Sequence, residues 1–198
     1  MNTNFLLCGV GGQGTVLASK LISTAAMAKG LEVHSAETIG MAQRGGSVVS
    51  HVRIGDNVFS PLVPYGAADV IIAFEPAEAV RCLPYLKADG VIAVSTKVVQ
   101  PTTASLTGKN FKSDTMLEYL NQHAKKVMII DTDALCTKMG SAKIANTLLL
   151  GAVSTVKESG LSYEDLEGAI NKVVKPKFVD LNIQAIKAGQ EAARAQLK

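Results

Sequence analysis

The sequence has no tryptophan, few aromatic side chains and no long apolar run. Aromatic residues make up 5% of the 198 residues, although apolar residues as a whole make up 47%. The core must therefore consist of Val, Ile, Leu and Ala, a bias typical of a parallel sheet covered by helices on both faces. No apolar run reaches the roughly 18 residues that a membrane-spanning helix needs, so we expect no membrane contact.

The sequence also lacks a large excess of either charge, because the net charge is only +3 and the basic residues are scattered. Without a basic stripe and interleaved aromatic residues, we expect no binding of nucleic acid. The first residues lack the basic and apolar regions of a signal peptide, so the sequence predicts a cytoplasmic protein.

Cysteine is rare as well, and Cys8, Cys82 and Cys136 lie far apart without forming a Cys-x-x-Cys pair. This spacing supports neither an iron–sulfur cluster nor a structural zinc site, so we expect three buried, reduced thiols. The three histidines stand alone, with no nucleophile in a recognisable context, and we expect a structural role for His51.

Strand-like and helix-like segments alternate over the first two-thirds of the chain. Strands are predicted at Asn4–Cys8, Leu31–Glu37, Val70–Phe74, Val91–Ser95 and Val127–Asp131, and helices at Thr15–Lys29, from Pro76 towards Leu86, and at about Asp114–His123. This order predicts a Rossmann-like, doubly wound α/β fold with a mostly parallel sheet and right-handed crossovers.

Two features depart from simple alternation. Ser47–Ile54 alternates like a strand and a turn signal separates it from Val58–Phe59, so we predict an antiparallel hairpin. The end of the chain contains C-terminal helices, at roughly Ile144–Glu158, Ser162–Val173 and Phe178–Arg194. Because no linker or repeat interrupts the chain, we expect residues 1–198 to form a single domain.

The densest chemical signal is the run Gly9-Val10-Gly11-Gly12-Gln13-Gly14 between the first strand and helix. Its Gly-x-Gly-x-x-Gly spacing permits a tight turn, close approach of a ligand and close helix–strand packing. Free N–H groups at the helix start favour an anion. Three interpretations are open: a turn needed only for packing, a site for an anionic ligand, or a tightly bound NAD or FAD. Glu37 lies where an NAD site has its ribose-binding acid, but Gly12-Gln13 is unusual there.

A second cluster, Gly40-Met41-Ala42-Gln43-Arg44-Gly45-Gly46-Ser47, follows the second strand. Gly45 and Gly46 allow the backbone to pass close to a ligand, and the Arg44 guanidinium suits a phosphate or carboxylate. Since the first two strands end at the same edge of a doubly wound sheet, we expect Arg44 to approach the first cluster. The alternative is a solvated arginine on a surface loop.

Acidic residues at two other strand ends have simpler explanations. Glu75, before Pro76, either lines the ligand edge or completes a helix start. Asp131 and Asp133 close the last strand, and we expect Asp133 to cap the following helix. Ser162 and Asp165 form a capping box at the start of a C-terminal helix.

At the two glycine clusters the sequence resembles the gamma-type small subunits of 2-oxoacid:ferredoxin oxidoreductases. That family combines a Gly-x-Gly-Gly-Gln-Gly start with an Arg-Gly-Gly segment followed by serines, here Arg44–Ser50. The longer run Gly40–Arg53 resembles the indolepyruvate branch specifically. Shorter segments resemble it too, namely Ser60–Leu62, Ala68–Val70, Ala73–Pro76, Leu83–Leu86 and Asn146–Ala152.

The resemblance implies a subunit that carries no cofactor of its own. In that family a large partner subunit holds thiamine diphosphate, Mg and 4Fe–4S clusters, and the complex converts an aryl 2-oxoacid and coenzyme A to an aryl-acetyl-CoA while reducing ferredoxin. The residues then expected to contact coenzyme A or another anionic ligand are Gly9, Gly11, Gly12, Gln13, Gly14, Arg44, Gly45, Gly46 and Ser47.

Two other classes of function stay open on the residues alone. One is a free-standing oxidoreductase that uses NAD or FAD, against which the missing catalytic residues argue. The other is a regulatory module that senses an adenine nucleotide, against which the match at Gly40–Arg53 argues.

Overall fold

The computed structural model describes residues 2–39, 46–56, 58–100, 104 and 111–196. The strands are β1 (Thr3–Val10), β2 (Val33–Ile39), β3 (Ser47–Ile54), β4 (Ala68–Ala73), β5 (Leu86–Ser95) and β6 (Lys126–Ile130). The helices are α1 (Thr15–Ala28), α2 (Pro76–Cys82), α3 (Ser113–His123), α4 (Thr132–Lys138), α5 (Ala145–Val153), α6 (Tyr163–Val173) and α7 (Val179–Arg194). In the part of the chain described, no helix has the length and apolar character needed to span a membrane.

The strands form one sheet in the order β2-β3-β1-β4-β5-β6. β1, β4, β5 and β6 are parallel, whereas β3 runs antiparallel to both β1 and β2. The mostly parallel, doubly wound α/β sheet is therefore confirmed. Because β3 reverses direction between them, β1 and β2 end at the same edge of the sheet, as predicted.

The antiparallel strand is where the sequence predicts it, but its expected hairpin partner is wrong. β3 pairs with the preceding β2 and with β1, and neither Val58 nor Phe59 belongs to a strand. Both hydrogen-bonding edges of β3 are occupied, so no edge is free for Val58–Phe59. Phe59 instead lies on the surface with 92% of its area exposed.

Helices cover the sheet on both faces. Phe5 and Leu7 of β1 pack into the cluster formed with α1, α5, α6 and α7, and Leu6 and Cys8 pack towards α2 and α3. Burial on both faces explains why the central strands are continuously apolar rather than alternating. All three cysteines are buried and free, as expected.

The helices α5 and α7 cross with their backbones in contact. A Cβ at Gly189 would overlap the Leu148 carbonyl oxygen and lie 2.8 Å from its carbon, and one at Gly151 would overlap the Ile186 carbonyl in the same way. Glycine at both positions lets α7 hold α5 firmly against the sheet. This matters for function because α5 forms one wall of the cavity described below.

Helix ends and sheet edges differ in part from the sequence predictions. The Ser162–Asp165 capping box is confirmed at the start of α6. The bounds of the seven-residue α4 were not predicted, and Asp131 rather than the expected Asp133 caps this helix, accepting the Ala134 N–H at 3.0 Å. At the outer edge of β6, the carboxamide of Gln196 accepts the Ile129 N–H at 2.9 Å and donates to the Ile129 carbonyl at 2.6 Å.

Candidate functional site

The glycine loop, residues 9–14, turns the chain from β1 into α1. Gly12 and Gly14 have φ angles of +99° and +86°, a region that residues with a Cβ rarely adopt. At Gly9 a Cβ would lie 2.7 Å from the Gln13 side chain and 3.0 Å from Phe74. The turn and its packing therefore require glycine at these three positions, whatever ligand the loop also meets.

The Gln13 side chain closes this loop from within. Its Oε1 accepts the Val10 N–H at 2.8 Å, and its Nε2 donates to the Phe74 carbonyl at 2.9 Å. The carboxamide thus ties the end of β1 to the end of β4. Gln13 shapes the edge of the sheet through contacts with backbone, and its two polar groups are both engaged there.

The structure brings the described parts of the two glycine clusters together. The β1–β3 pairing reaches Val10 and Ser47, and beyond it the Gly11 N–H donates to the Gly46 carbonyl at 2.9 Å. Arg44 and Gly45 lie outside the described residues, so the approach of Arg44 to the glycine loop stays a prediction.

Ser47 connects this edge to the start of α2. Its hydroxyl donates to Oε2 of Glu78 at 2.6 Å, and the other oxygen of Glu78 forms an ion pair with Arg81. Glu75 caps α2 by accepting the Glu78 N–H at 3.0 Å, and burial raises the pKa of the Glu75 carboxyl. Of the two roles considered for Glu75, the structure supports completion of the helix start.

A cavity of about 510 Å³ opens beside the glycine loop, along the carboxyl ends of β4, β5 and β6. Its walls come from the loop and α1 on one side and from α4 and α5 on the other; the lining residues are Gly12, Gln13, Gly14, Leu17, Phe74, Ser95, Lys97, Thr132, Asp133, Cys136, Ala142, Lys143, Ala145, Asn146 and Leu149. The cavity adjoins the point where β1 and β4 lie side by side while α1 and α2 cover opposite faces. Doubly wound folds bind ligands at such a switch point.

The polar groups of the cavity favour an anion. The buried hydroxyls of Ser95 and Thr132 lie 2.6 Å apart, and Lys97 pairs with Asp133 at 2.7 Å on the rim. Lys143 is exposed on the rim and has no carboxylate within ion-pair distance among the described residues. With the start of α1 facing the same space, the positive groups outnumber the negative one.

Asn146 was missed as a site residue. It is 3% exposed and donates to the Gly14 carbonyl at 3.5 Å, while its Oδ1 accepts the Thr147 N–H at 2.9 Å. Thr147 continues the buried polar chain to Asn182 of α7 at 2.6 Å. A polar Asn at the start of an otherwise apolar helix was the signal that could have identified it.

The cavity can bind and orient a ligand, but its described lining offers little for catalysis. No histidine is among those lining residues, and burial raises the pKa of the Cys136 thiol, so it stays protonated and weakly nucleophilic. Across the described ranges, no three His, Cys, Asp or Glu side chains gather where they could hold a metal ion.

The geometry also argues against an NAD site. Glu37 is the residue expected to bind a ribose, but β3 separates β2 from β1. Two strand spacings place β2 roughly 10 Å from the glycine loop's own strand. The Glu37 carboxylate instead accepts a hydrogen bond from Ser19 on α1 at 3.2 Å.

Comparisons with known proteins agree on one family. Residues 4–192 match the profile of the pyruvate ferredoxin/flavodoxin oxidoreductase family. The chain is 40% identical to indolepyruvate oxidoreductase subunit IorB of Archaeoglobus fulgidus, over 98% of this chain and 96% of that protein.

Two solved structures share the fold. The gamma subunit of a keto/oxoacid ferredoxin oxidoreductase from Geobacter sulfurreducens is 24% identical, with a TM-score of 0.71 over 98% of each chain. A 2-oxoglutarate:ferredoxin oxidoreductase from Magnetococcus marinus, solved with 2-oxoglutarate, coenzyme A and succinyl-CoA, is 20% identical, with a TM-score of 0.73. That match covers 98% of this chain but 31% of the other, so the same fold also occurs as part of a longer chain.

Proposed function

The chain belongs to the pyruvate ferredoxin/flavodoxin oxidoreductase family, and on that premise we propose that it is the small subunit of a cytoplasmic indolepyruvate ferredoxin oxidoreductase. The complex would decarboxylate an aryl 2-oxoacid oxidatively, join the acyl group to coenzyme A and pass two electrons to ferredoxin. The observation that carries this assignment is 40% identity to an IorB subunit over nearly the whole of both chains.

The proposal places the catalytic cofactors on a large partner subunit. Thiamine diphosphate supplies the carbanion chemistry and the 4Fe–4S clusters accept the electrons when they are bound there. The described residues of this chain do not fit an iron–sulfur cluster, because no three His, Cys, Asp or Glu side chains among them come together. We therefore assign this chain, acting as one domain, the tasks of shaping the partner's active site and binding a reactant.

We propose that the cavity beside the glycine loop receives the anionic part of coenzyme A. The positive start of α1 and the ammonium groups of Lys97 and Lys143 favour phosphate, and the volume of about 510 Å³ is in the range of ligand pockets. Leu17, Phe74 and Leu149 give the cavity an apolar wall. The thiol end would then have to leave the cavity towards the partner, where the acyl group is formed.

A reconstitution experiment tests the assignment. The isolated chain should be colourless and inactive, because its own residues supply no redox group. When it is mixed with its large partner subunit, the two should together reduce a dye, and this reduction should require both indolepyruvate and coenzyme A. Turnover by the isolated chain would refute the assignment, as would a large subunit whose activity is the same with and without this chain.

A further inference from the structure

The carboxylate of Glu78 is buried beyond what a helix start requires. Only 3% of the residue is exposed, and it reaches from the first turn of α2 to the first residue of β3. We propose that Glu78 is a positioning residue that acts through Ser47 and holds the glycine loop in the conformation of the ligand site. The identity of the ligand rests on the proposed function, whereas the positioning itself does not.

A short chain of contacts transmits this effect. Ser47 lies opposite Val10 as the last pair of the β1–β3 ladder, and the next bond joins the Gly11 N–H to the Gly46 carbonyl at 2.9 Å. This bond lies beyond the last residue pair of the two strands, and the end of a ladder opens more easily than its middle. Because Gly46 is joined directly to Ser47, anchoring Ser47 from the side also fixes the acceptor of this bond.

The anchor has the geometry of a strong hydrogen bond. The 2.6 Å distance between Ser47 Oγ and Glu78 Oε2 is within the range of a hydroxyl that donates to a charged carboxylate. Glu78 lies in the first turn of α2, and Glu75 fixes its backbone there by accepting the Glu78 N–H at 3.0 Å. By contrast, the side chain of Arg81, its other partner, is 66% exposed and is therefore the more dispensable contact.

Hydrogen exchange of the Gly11 amide, measured by mass spectrometry on the assembled complex, tests the positioning directly. Ser47→Ala and Glu78→Leu each remove the anchor and should speed exchange by about tenfold to 150-fold, the loss expected for one hydrogen bond to a charged group. The double variant should behave like either single one, since both remove the same bond. Ser47→Thr keeps a hydroxyl and should therefore retain the wild-type protection of the Gly11 amide against exchange.

Ser154→Ala is the matched control, because it removes the hydrogen bond that Gln190 donates to Ser154 at 2.9 Å, near the crossing of α5 and α7. It should leave Gly11 exchange unchanged. Unchanged exchange in Ser47→Ala and Glu78→Leu, or equal acceleration in Ser154→Ala, would overturn the positioning role.

The Michaelis constant for coenzyme A separates this inference from the proposed function. If exchange accelerates and KM rises while kcat is nearly constant, both stand. If exchange accelerates and KM does not change, Glu78 still positions the loop, and the assignment of coenzyme A to this edge fails.

Discussion

Exchanging Gly189 for alanine adds a single methyl group where α5 and α7 touch backbone to backbone. The new Cβ would overlap the Leu148 carbonyl oxygen and lie 2.8 Å from its carbon, whereas an ordinary contact needs 3.4–4 Å. The overlapped atoms belong to the backbone of a buried helix and cannot rotate away. The helices must therefore separate, which loosens the apolar contacts between them.

Two opposing effects set the size of the change. Alanine in a helix interior is favoured over glycine by about 0.5–1 kcal/mol, and overpacking costs typically about 1–3 kcal/mol. We expect the overpacking to prevail, with the free energy of unfolding lowered by about 1–2 kcal/mol and Tm by roughly 2–8 °C.

Gly168→Ala is the matched control, since Gly168 lies within α6 and a Cβ there would meet nothing within 4 Å. Only the helix preference acts, so this variant should raise Tm by roughly 1–4 °C. Thermal and urea unfolding of the two variants should therefore shift in opposite directions. If both variants were stabilised, the tight crossing of α5 and α7 would be refuted.

Four further expectations concern single residues. Burial lowers the pKa of His51 below 6.5, and its neutral ring accepts the Val63 N–H at 3.1 Å. The free energy of unfolding should therefore be greatest above pH 6.5 and decline as the pH falls through the lowered pKa. Urea unfolding between pH 5 and 8 should show a smaller decline for His51→Asn. The buried hydroxyl of Ser50 has no hydrogen-bond partner among the residues that the structure describes, so Ser50→Ala should raise the urea-unfolding free energy by about 1 kcal/mol. A loss of stability would contradict this. Lys143→Ala should raise KM for coenzyme A in the complex roughly two- to fivefold, and an unchanged KM would remove Lys143 from the site. Arg44→Ala should slow the step of the complex that depends on the anionic ligand by about tenfold to 150-fold, and Arg44→Lys should recover part of the lost rate. Wild-type kinetics in an intact complex would count against a ligand role for Arg44.

The parts of the fold that follow from local pattern could be predicted from the sequence. The strand–glycine loop–helix unit, the alternation of strands and helices, and the capping box of α6 depend on neighbouring residues. The position of β3 between β1 and β2 does not, because strand pairing joins distant segments. The hairpin at Ser47–Phe59 was wrong for the same reason, since a turn signal does not reveal whether a strand already has two partners.

In the candidate site too, features that follow from local pattern could be predicted, and features set by distant contacts could not. The meeting of the two glycine clusters could be predicted because both follow strands that end at one edge of the sheet. The partners of Asn146 and Glu78 could not be predicted. Asn146 contacts a residue 132 positions away and Glu78 one 31 positions away, although the polar Asn in an apolar helix was a signal at Asn146 itself. Burial and the direction of a side chain, rather than its type, give these residues their roles.

The carboxamide of Gln196 covers part of the outer edge of the sheet at β6. It occupies the outward N–H and C=O of Ile129 as the next strand would, so β6 offers less backbone to a strand from another molecule. A chain that lost this side chain could unfold at nearly the same temperature in dilute solution and still self-associate when concentrated. Solubility of this protein at high concentration would then depend on a single amide group that a measurement of folding stability does not detect.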